Sequence, residues 1–127
     1  SFVARGTRYP EARRRPPLGG PSTLFLPPAI GRPSADPLEI KRAQADAWET
    51  IQRGHAIANG CFVCAVNRVG REQNLEFWGS SFICDPFGRY LAEAGTAPEV
   101  LVAECDLARI EETRRNWPFL RDRRIDA

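Results

Sequence analysis

The sequence predicts a mixed α/β fold, and three stretches carry that prediction. Residues 36–59 repeat small and apolar side chains at steps of three and four, the spacing that lays one stripe along a helix. Residues 61–66 are six apolar residues without a polar alternate, as expected of a strand covered on both faces. Asp85-Pro86-Phe87-Gly88 separates two short apolar runs with type I turn chemistry, which predicts a hairpin. A helix, a doubly covered strand and a hairpin together exclude an all-parallel sheet.

In order, residues 1–22 differ from the rest. Arg13-Arg14-Arg15-Pro16-Pro17 and Gly19-Gly20-Pro21 end any helix begun at Tyr9-Pro10-Glu11, and weak order is expected there. Thr23-Leu24-Phe25-Leu26 reads as a short strand stopped by Pro27-Pro28, and 29–34 as a loop at its C-terminal end. Asp36 as N-cap and Pro37 as first residue open the long helix. Its stripe is Ile40, Ala43, Ala47, Ile51, Gly54 and Ala58; these are mostly small, so a close-packed neighbour is expected. Gly60 suits the left-handed position that ends the helix.

After the strand at 61–66, residues 70–74 read as a turn and 80–84 as a strand. The 85–88 turn and a return strand at 89–94 complete the hairpin, and 100–105 is a last strand. Asp106 caps a final helix with Leu107, Ile110, Arg114 and Trp117 along one side, ending before Pro118. The order is strand, helix, strand, hairpin, strand, helix. Nothing marks a linker within 23–127, and there is no repeat.

Composition narrows the function classes. A chain of 127 residues with 43% hydrophobic and 27% charged residues and a net charge of +2 has the make-up of an ordinary globular domain. That charge is too small to imply a polyanionic partner, and the arginine run lacks the interleaved aromatics of a nucleic-acid binder. No stretch reaches the ~20 apolar residues of a membrane span, and the first residues lack a signal-peptide run. Neither nucleic acid nor membrane is therefore expected as a partner, and a cytoplasmic location is. The chain contains no methionine, not even at position 1, which suggests a processed or truncated polypeptide.

No catalytic set assembles from the residues alone. Cys61 and Cys64 match CxxC in letters, but an odd offset on a strand turns them to opposite faces. They could neither bridge nor share a metal, so no metal site and no cofactor are expected, and the four cysteines read as reduced, buried thiols. His55 falls on the helix, where packing or capping explains it better than catalysis. Asp85 is explained by its turn.

Three stretches together resemble the carbon–nitrogen hydrolase, or nitrilase, superfamily: residues 52–60 (Gln52-Arg53-Gly54-His55 onward), 65–70 (Ala65-Val66-Asn67-Arg68-Val69-Gly70) and 77–88 (Phe77-Trp78-Gly79 to Asp85-Pro86-Phe87-Gly88). The closing Glu104-Cys105-Asp106-Leu107 and residues 114–124 look most like its N-carbamoylputrescine amidase branch. The resemblance implies half of an α-β-β-α sandwich about twice this length: a mixed sheet with a long helix and a C-terminal helix. It also implies subunits that pair as homo-oligomers. Catalysis in the family uses a Cys nucleophile, a Glu base and a Lys that steadies the oxyanion. In the carbamoylputrescine branch, putrescine, carbon dioxide and ammonia are released, a step of polyamine biosynthesis.

The sequence departs from that pattern where the chemistry lies. The family's Glu and Lys belong to its first half. The nucleophile stands five residues before the family's Tyr-Pro-Glu, and counting back from Tyr9-Pro10-Glu11 reaches Ala4. Glu11, Pro28, Ala29 and Ile30 would border the substrate pocket by analogy. The expectation is a divergent segment at 1–22 followed by the C-terminal half of a hydrolase domain at 23–127. It would be inactive alone and would expose one face of strands 61–66 and 100–105. The competing expectation is a non-catalytic module that pairs with an intact hydrolase subunit.

Overall fold

A computed structural model describes residues 9–10 and 23–124. The expected weak order of the N-terminal segment, Ala4 and Glu11 fall outside the described residues. The described part is mixed α/β, with one sheet of four strands and one of three.

Strand β1 (Thr23–Leu26) lies parallel to β3 (Phe62–Ala65), with Phe25 opposite Cys64. The Val66 amide extends the ladder to the Leu26 carbonyl at 2.8 Å. On its other edge β3 pairs antiparallel with β6 (Phe82–Cys84), which pairs antiparallel with β7 (Tyr90–Glu93). The order is therefore β1-β3-β6-β7. Every residue of β3 is buried, as its unbroken apolar sequence predicts. The expected exposed face at 61–66 is absent over 61–65, all of which are buried, and only Val66 emerges, 51% exposed. β1 alternates instead: Leu24 and Leu26 are buried and Phe25 is 70% exposed.

Helix α1 (Leu38–Asn59) covers β3. It starts one residue later than the caps suggest. Pro37 is the N-cap and Asp36 makes no side-chain capping bond; the Pro37 carbonyl accepts the first helical bond, from the Lys41 amide at 3.0 Å. Proline lacks the amide that would stand unpaired here. The helix ends as expected at Gly60, whose φ of 55° and ψ of 53° are left-handed.

The packed face of α1 is not the expected stripe. Trp48, Gln52, His55, Ala56 and Asn59 are buried, whereas Ile40, Ala43 and Ala47 are exposed. A side chain at Gly54 would meet nothing within 4 Å, so the close-packed neighbour expected there is absent among the described residues. Apolar periodicity missed the true face because three of its five members are polar. Trp48 is fully buried and meets Trp78 and Phe82 edge-on, with centroids 6.1 and 5.7 Å away. Phe82 meets Tyr90 in the same way at 5.2 Å. Leu24, Leu26, Val63 and Ala65 complete this core.

The second sheet, β2-β5-β4, is antiparallel. β2 (Gly31–Pro33) lies where a loop was expected, and pairs with β5 (Leu75–Trp78). A Cβ on Gly31 would sit 2.9 Å from the Phe77 ring, so only glycine lets the backbone pass. β4 (Val69–Glu72) replaces most of the expected 70–74 turn, which shrinks to Gln73 and Asn74. Gly70, Arg71 and Glu72 are all exposed. A strand with little to bury shows no apolar alternation, and the signal that predicts strands is missing.

The 85–88 turn closes as expected, the Gly88 amide donating to the Asp85 carbonyl at 2.8 Å. Asp85 is 1% exposed and its Oδ1 accepts the amides of Phe87 and Arg89 at 2.9 and 3.0 Å. Arg89 and Arg109 approach its Oδ2 at 3.2 and 3.5 Å, which compensates the buried charge. The Arg53 guanidinium ties α1 to the turn by donating to the Gly88 carbonyl at 2.7 Å.

Residues 100–105 are the largest departure. They join no strand pair, and Val100 and Val102 are 88% and 87% exposed. Pairing is non-local, and the chain offers them no partner among the described residues. Helix α2 (Ala108–Asn116) follows, its first turn held by Asp106 Oδ1 accepting the Ala108 amide at 3.0 Å. It buries Ile110 and Thr113, while Leu107 and Trp117, expected on the same side, are each 55% exposed. Among the described residues no helix is long and apolar enough to cross a membrane.

The bare outer face of α1 yields a direct test. Gly54→Ala should stabilise the chain by about 0.5–1 kcal/mol, the usual gain in an exposed helix interior. A lowered urea midpoint for this variant would show that a neighbour does pack against Gly54.

Candidate functional site

The parallel pair β1–β3 sets the geometry. Chains leaving the carboxyl ends of parallel strands diverge, and the crevice they open is where ligands bind in open α/β sheets. Pro28, Ala29 and Ile30 leave β1 at that end; Val66, Asn67 and Arg68 leave β3 beside them. Pro28 is buried, Ala29 exposed and Ile30 half-buried against the core. The structure thus brings three of the sequence-derived pocket residues together on one loop, and Ala29 is the one that faces outward.

Asn67 holds that loop in place. It is 7% exposed, and its Oδ1 accepts the Ile30 amide at 3.0 Å and the Arg68 amide at 2.9 Å. Ser81 brackets its backbone: the hydroxyl accepts the Asn67 amide at 2.9 Å and donates to the Asn67 carbonyl at 3.2 Å. Sequence reasoning quoted Asn67 within a motif without giving it a role. The available signal was a polar residue immediately after a wholly apolar strand, where a buried amide can satisfy two divergent backbones.

Next to Asn67 a cavity of about 280 Å³ opens between Arg68, Ser81, Ala94 and Glu99. A second, of about 230 Å³, lies at the 85–88 turn against Arg89, Arg109 and Glu112. Neither is lined by a cysteine, a histidine or a lysine. The Asp85 carboxylate in the second is taken up by its turn and two arginines, as its sequence context suggests. Lys41, the one lysine, lies elsewhere: its ammonium donates to the Ser34 carbonyl and to Glu76 Oε2, both at 2.9 Å.

The thiols are chemically quiet. Burial raises the Cys61 thiol to about 11 and the Cys84 thiol to about 12, so neither supplies thiolate near neutral pH. Burial also raises Cys64 and Cys105. All four are free; Cys105, expected on a strand, lies in the unpaired segment. His55 is 3% exposed on the packed face of α1, as a packed histidine should be. Among the described residues no group of three His, Cys, Asp or Glu side chains could hold a metal ion. Neither cavity therefore presents a thiol, an imidazole or an ammonium group among the described residues.

Two measurements follow from this geometry. Asn67→Ala should cost about 1–3 kcal/mol, the range for orphaning buried partners, and should accelerate hydrogen exchange at the Ile30 amide well before that at β3. Equal acceleration at both would mean that Asn67 supports the whole core and not the loop. The second concerns Glu76, which its hydrogen bond from Lys41, with added attraction from Lys41 and Arg32, holds below the usual glutamate range. A value depressed on folding means that the contact stabilises the chain above the unfolded glutamate pKa. That stability is lost as pH falls through the folded value. The stability difference between wild type and Glu76→Gln should therefore be present at neutral pH and vanish in acid; a pH-independent difference would exclude the ion pair as its source. The side chain is a quarter exposed, so the effect is small.

Comparison with known proteins agrees with this architecture. Residues 26–115 match the carbon–nitrogen hydrolase family. The chain is 41% identical to the N-carbamoylputrescine amidase of Solanum tuberosum, covering 93% of this chain and 41% of that protein. It is 37% identical to a citrullinase of Francisella tularensis, covering 91% of this chain and 41% of that one. The crystal structure of a carbon–nitrogen hydrolase from Helicobacter pylori G27 superposes with a TM-score of 0.94 at 51% identity, covering 98% of this chain and 45% of that one. The chain thus spans about two fifths of the length of these curated relatives. With its parallel β1–β3 pair, its hairpin and its long covering helix, this chain belongs to the carbon–nitrogen hydrolase family.

Proposed function

We propose that the chain is the C-terminal portion of an amidase that hydrolyses the carbamoyl group of N-carbamoylputrescine, and that residues 1–127 alone do not turn over. The observation that carries this reading is the 41% identity to an N-carbamoylputrescine amidase over nearly the whole chain. The 37% identity to a citrullinase supports the same bond type, because citrulline also presents a terminal carbamoyl group on an alkyl amine. In such a reaction a thiolate attacks the carbamoyl carbon, a carboxylate moves protons to the departing nitrogen, and a cation steadies the oxyanion. Water then releases the acyl group.

On this reading the chain contributes the wall and not the chemistry. The loop of Pro28, Ala29 and Ile30, pinned by Asn67, borders the substrate, and the family resemblance assigns Glu11 to the same pocket. Alanine at position 4 has no nucleophilic atom, and the raised thiols do not substitute for one. Loss of a nucleophile, a base and an oxyanion cation removes orders of magnitude each.

A second reading, in which the chain pairs without catalysis with an intact hydrolase subunit in the cytoplasm, is favoured by the uncovered Ile40, Ala43 and Ala47 face of α1. The exposed Trp117–Phe119 pair, with ring centroids 6.0 Å apart, adds to it.

One graft tests the first reading. Residues 23–127 are joined to the preceding portion of the S. tuberosum amidase, and ammonia release is measured with N-carbamoylputrescine, citrulline and a simple ω-amide. The graft should prefer N-carbamoylputrescine while the 127-residue chain releases no ammonia from any of them. Preference for the simple amide would overturn the carbamoyl assignment, and turnover by the chain alone would overturn the division of labour. A chain that stays monomeric when co-expressed with an intact hydrolase would remove the second reading.

A further inference from the structure

The cavity at the 85–88 turn lies at the other end of β3 from the 28–30 loop. β6 runs antiparallel to β3, so Cys84 stands opposite Val63, near the amino end, and the turn continues beyond it. Arg109 and Glu112 reach the cavity from one face of α2, and Pro86, Phe87 and Arg89 from the hairpin. Each arginine is tethered and only partly used. Arg89 stacks on the Phe87 ring at 5.3 Å and donates its Nε–H to Asp85 Oδ2, and Arg109 reaches the same oxygen with Nη1. A guanidinium has five N–H donors, and the others on both side chains meet no acceptor among the described residues.

Glu112 is the unexpected member. It stands three residues from Arg109 on the same helix face, close enough to pair with it. Its carboxylate nevertheless has no hydrogen bond or ion pair among the described residues, and Arg109 turns to Asp85. The cavity therefore keeps unsatisfied donors and an unsatisfied carboxylate side by side, against an apolar wall of Pro86 and the exposed Phe87 ring. Two guanidiniums face two carboxylates, so no net charge favours a simple anion or a simple cation. At about 230 Å³ the space is smaller than the ~300–1,000 Å³ of sites for drug-sized ligands.

We propose that this cavity binds a free α-amino acid with an apolar side chain. The ligand carboxylate takes the spare N–H groups of Arg89 and Arg109 in charge-assisted bonds. Its ammonium donates to Glu112, and its side chain lies on Phe87 and Pro86. One carbon separates the two ionic groups of such a ligand, which suits opposite charges set one helical turn apart. No residue of the 28–30 loop lines the cavity, so this site stands or falls independently of the amidase reading.

The test titrates the full, isotope-labelled 127-residue chain with L-leucine and, separately, with its two halves. Isocaproate lacks the ammonium and isoamylamine lacks the carboxylate. Leucine should saturate the shifts of amides 87–89 and 109–113 with a Kd on the order of 1 mM, and each half should bind at least ~10-fold more weakly. Glu112→Gln keeps the shape of an exposed side chain that bonds to nothing, so the fold should stay intact. It should weaken leucine binding at least ~10-fold and leave isocaproate binding no weaker. Absence of saturable shifts at these amides would overturn the proposal. So would isocaproate binding as tightly as leucine, which would leave only an anion site, or leucine binding unchanged in Glu112→Gln.

Discussion

Everything described here depends on keeping β3 dry. Four consecutive buried residues put a run of peptide groups where water cannot reach them, and each must find a partner. β1 supplies one edge in parallel and β6 the other in antiparallel. Once both edges are taken, the faces must be covered. Trp48, fully buried between Trp78 and Phe82, brings α1 down on one face. On the other, Cys64 is buried, Ile83 beside it half-buried and Phe25 largely exposed. Cover on this face is deepest over β3 and thinnest on β1, where the sheet stops.

The polar members of the buried helix face explain why the sequence was misread there. Gln52, His55 and Asn59 sit inside with Trp48 and Ala56; Asn59 Nδ2 donates to the His55 carbonyl at 2.8 Å, and the Asn59 carbonyl accepts from Arg114 at 3.3 Å. A count of apolar spacing chose instead the stripe of Ile40, Ala43, Ala47, Ile51, Gly54 and Ala58 on a neighbouring face. The helix itself, its glycine stop and the strand after it were legible, because capping chemistry and an unbroken apolar run act locally. The 85–88 turn was legible for the same reason. β2 and β4 were not: their stability comes from pairing with β5 and from ion pairs such as Arg32 with Glu76 at 3.7 Å, and neither leaves an apolar alternation.

The same division runs through the site. The loop at 28–30 was placed by family resemblance, whereas the residue that holds it was not. Asn67 reaches Ile30 across 37 positions of chain, and no local pattern encodes that reach. Residues 100–105 show the converse. Their sequence predicts a strand, and the structure shows alternating exposure without a ladder. Local apolar character was legible there and pairing was not.

This separation also fits the chemistry to the architecture. A nucleophile of the family's kind needs a depressed thiol pKa, and hence nearby positive charge and some access to water. The described cysteines have the reverse surroundings: Cys61 and Cys84 are fully buried and pushed to about 11 and about 12. What they do well is fill small volumes beside β3 and in β6 without adding charge. Positive charge is spent elsewhere, on Asp85 at the hairpin turn and on Glu76 beside β2. Both uses lock secondary elements together. At the crevice between the ends of β1 and β3 the described residues supply a loop held by one buried amide, Asn67 Oδ1 accepting the Ile30 and Arg68 amides across two diverging backbones.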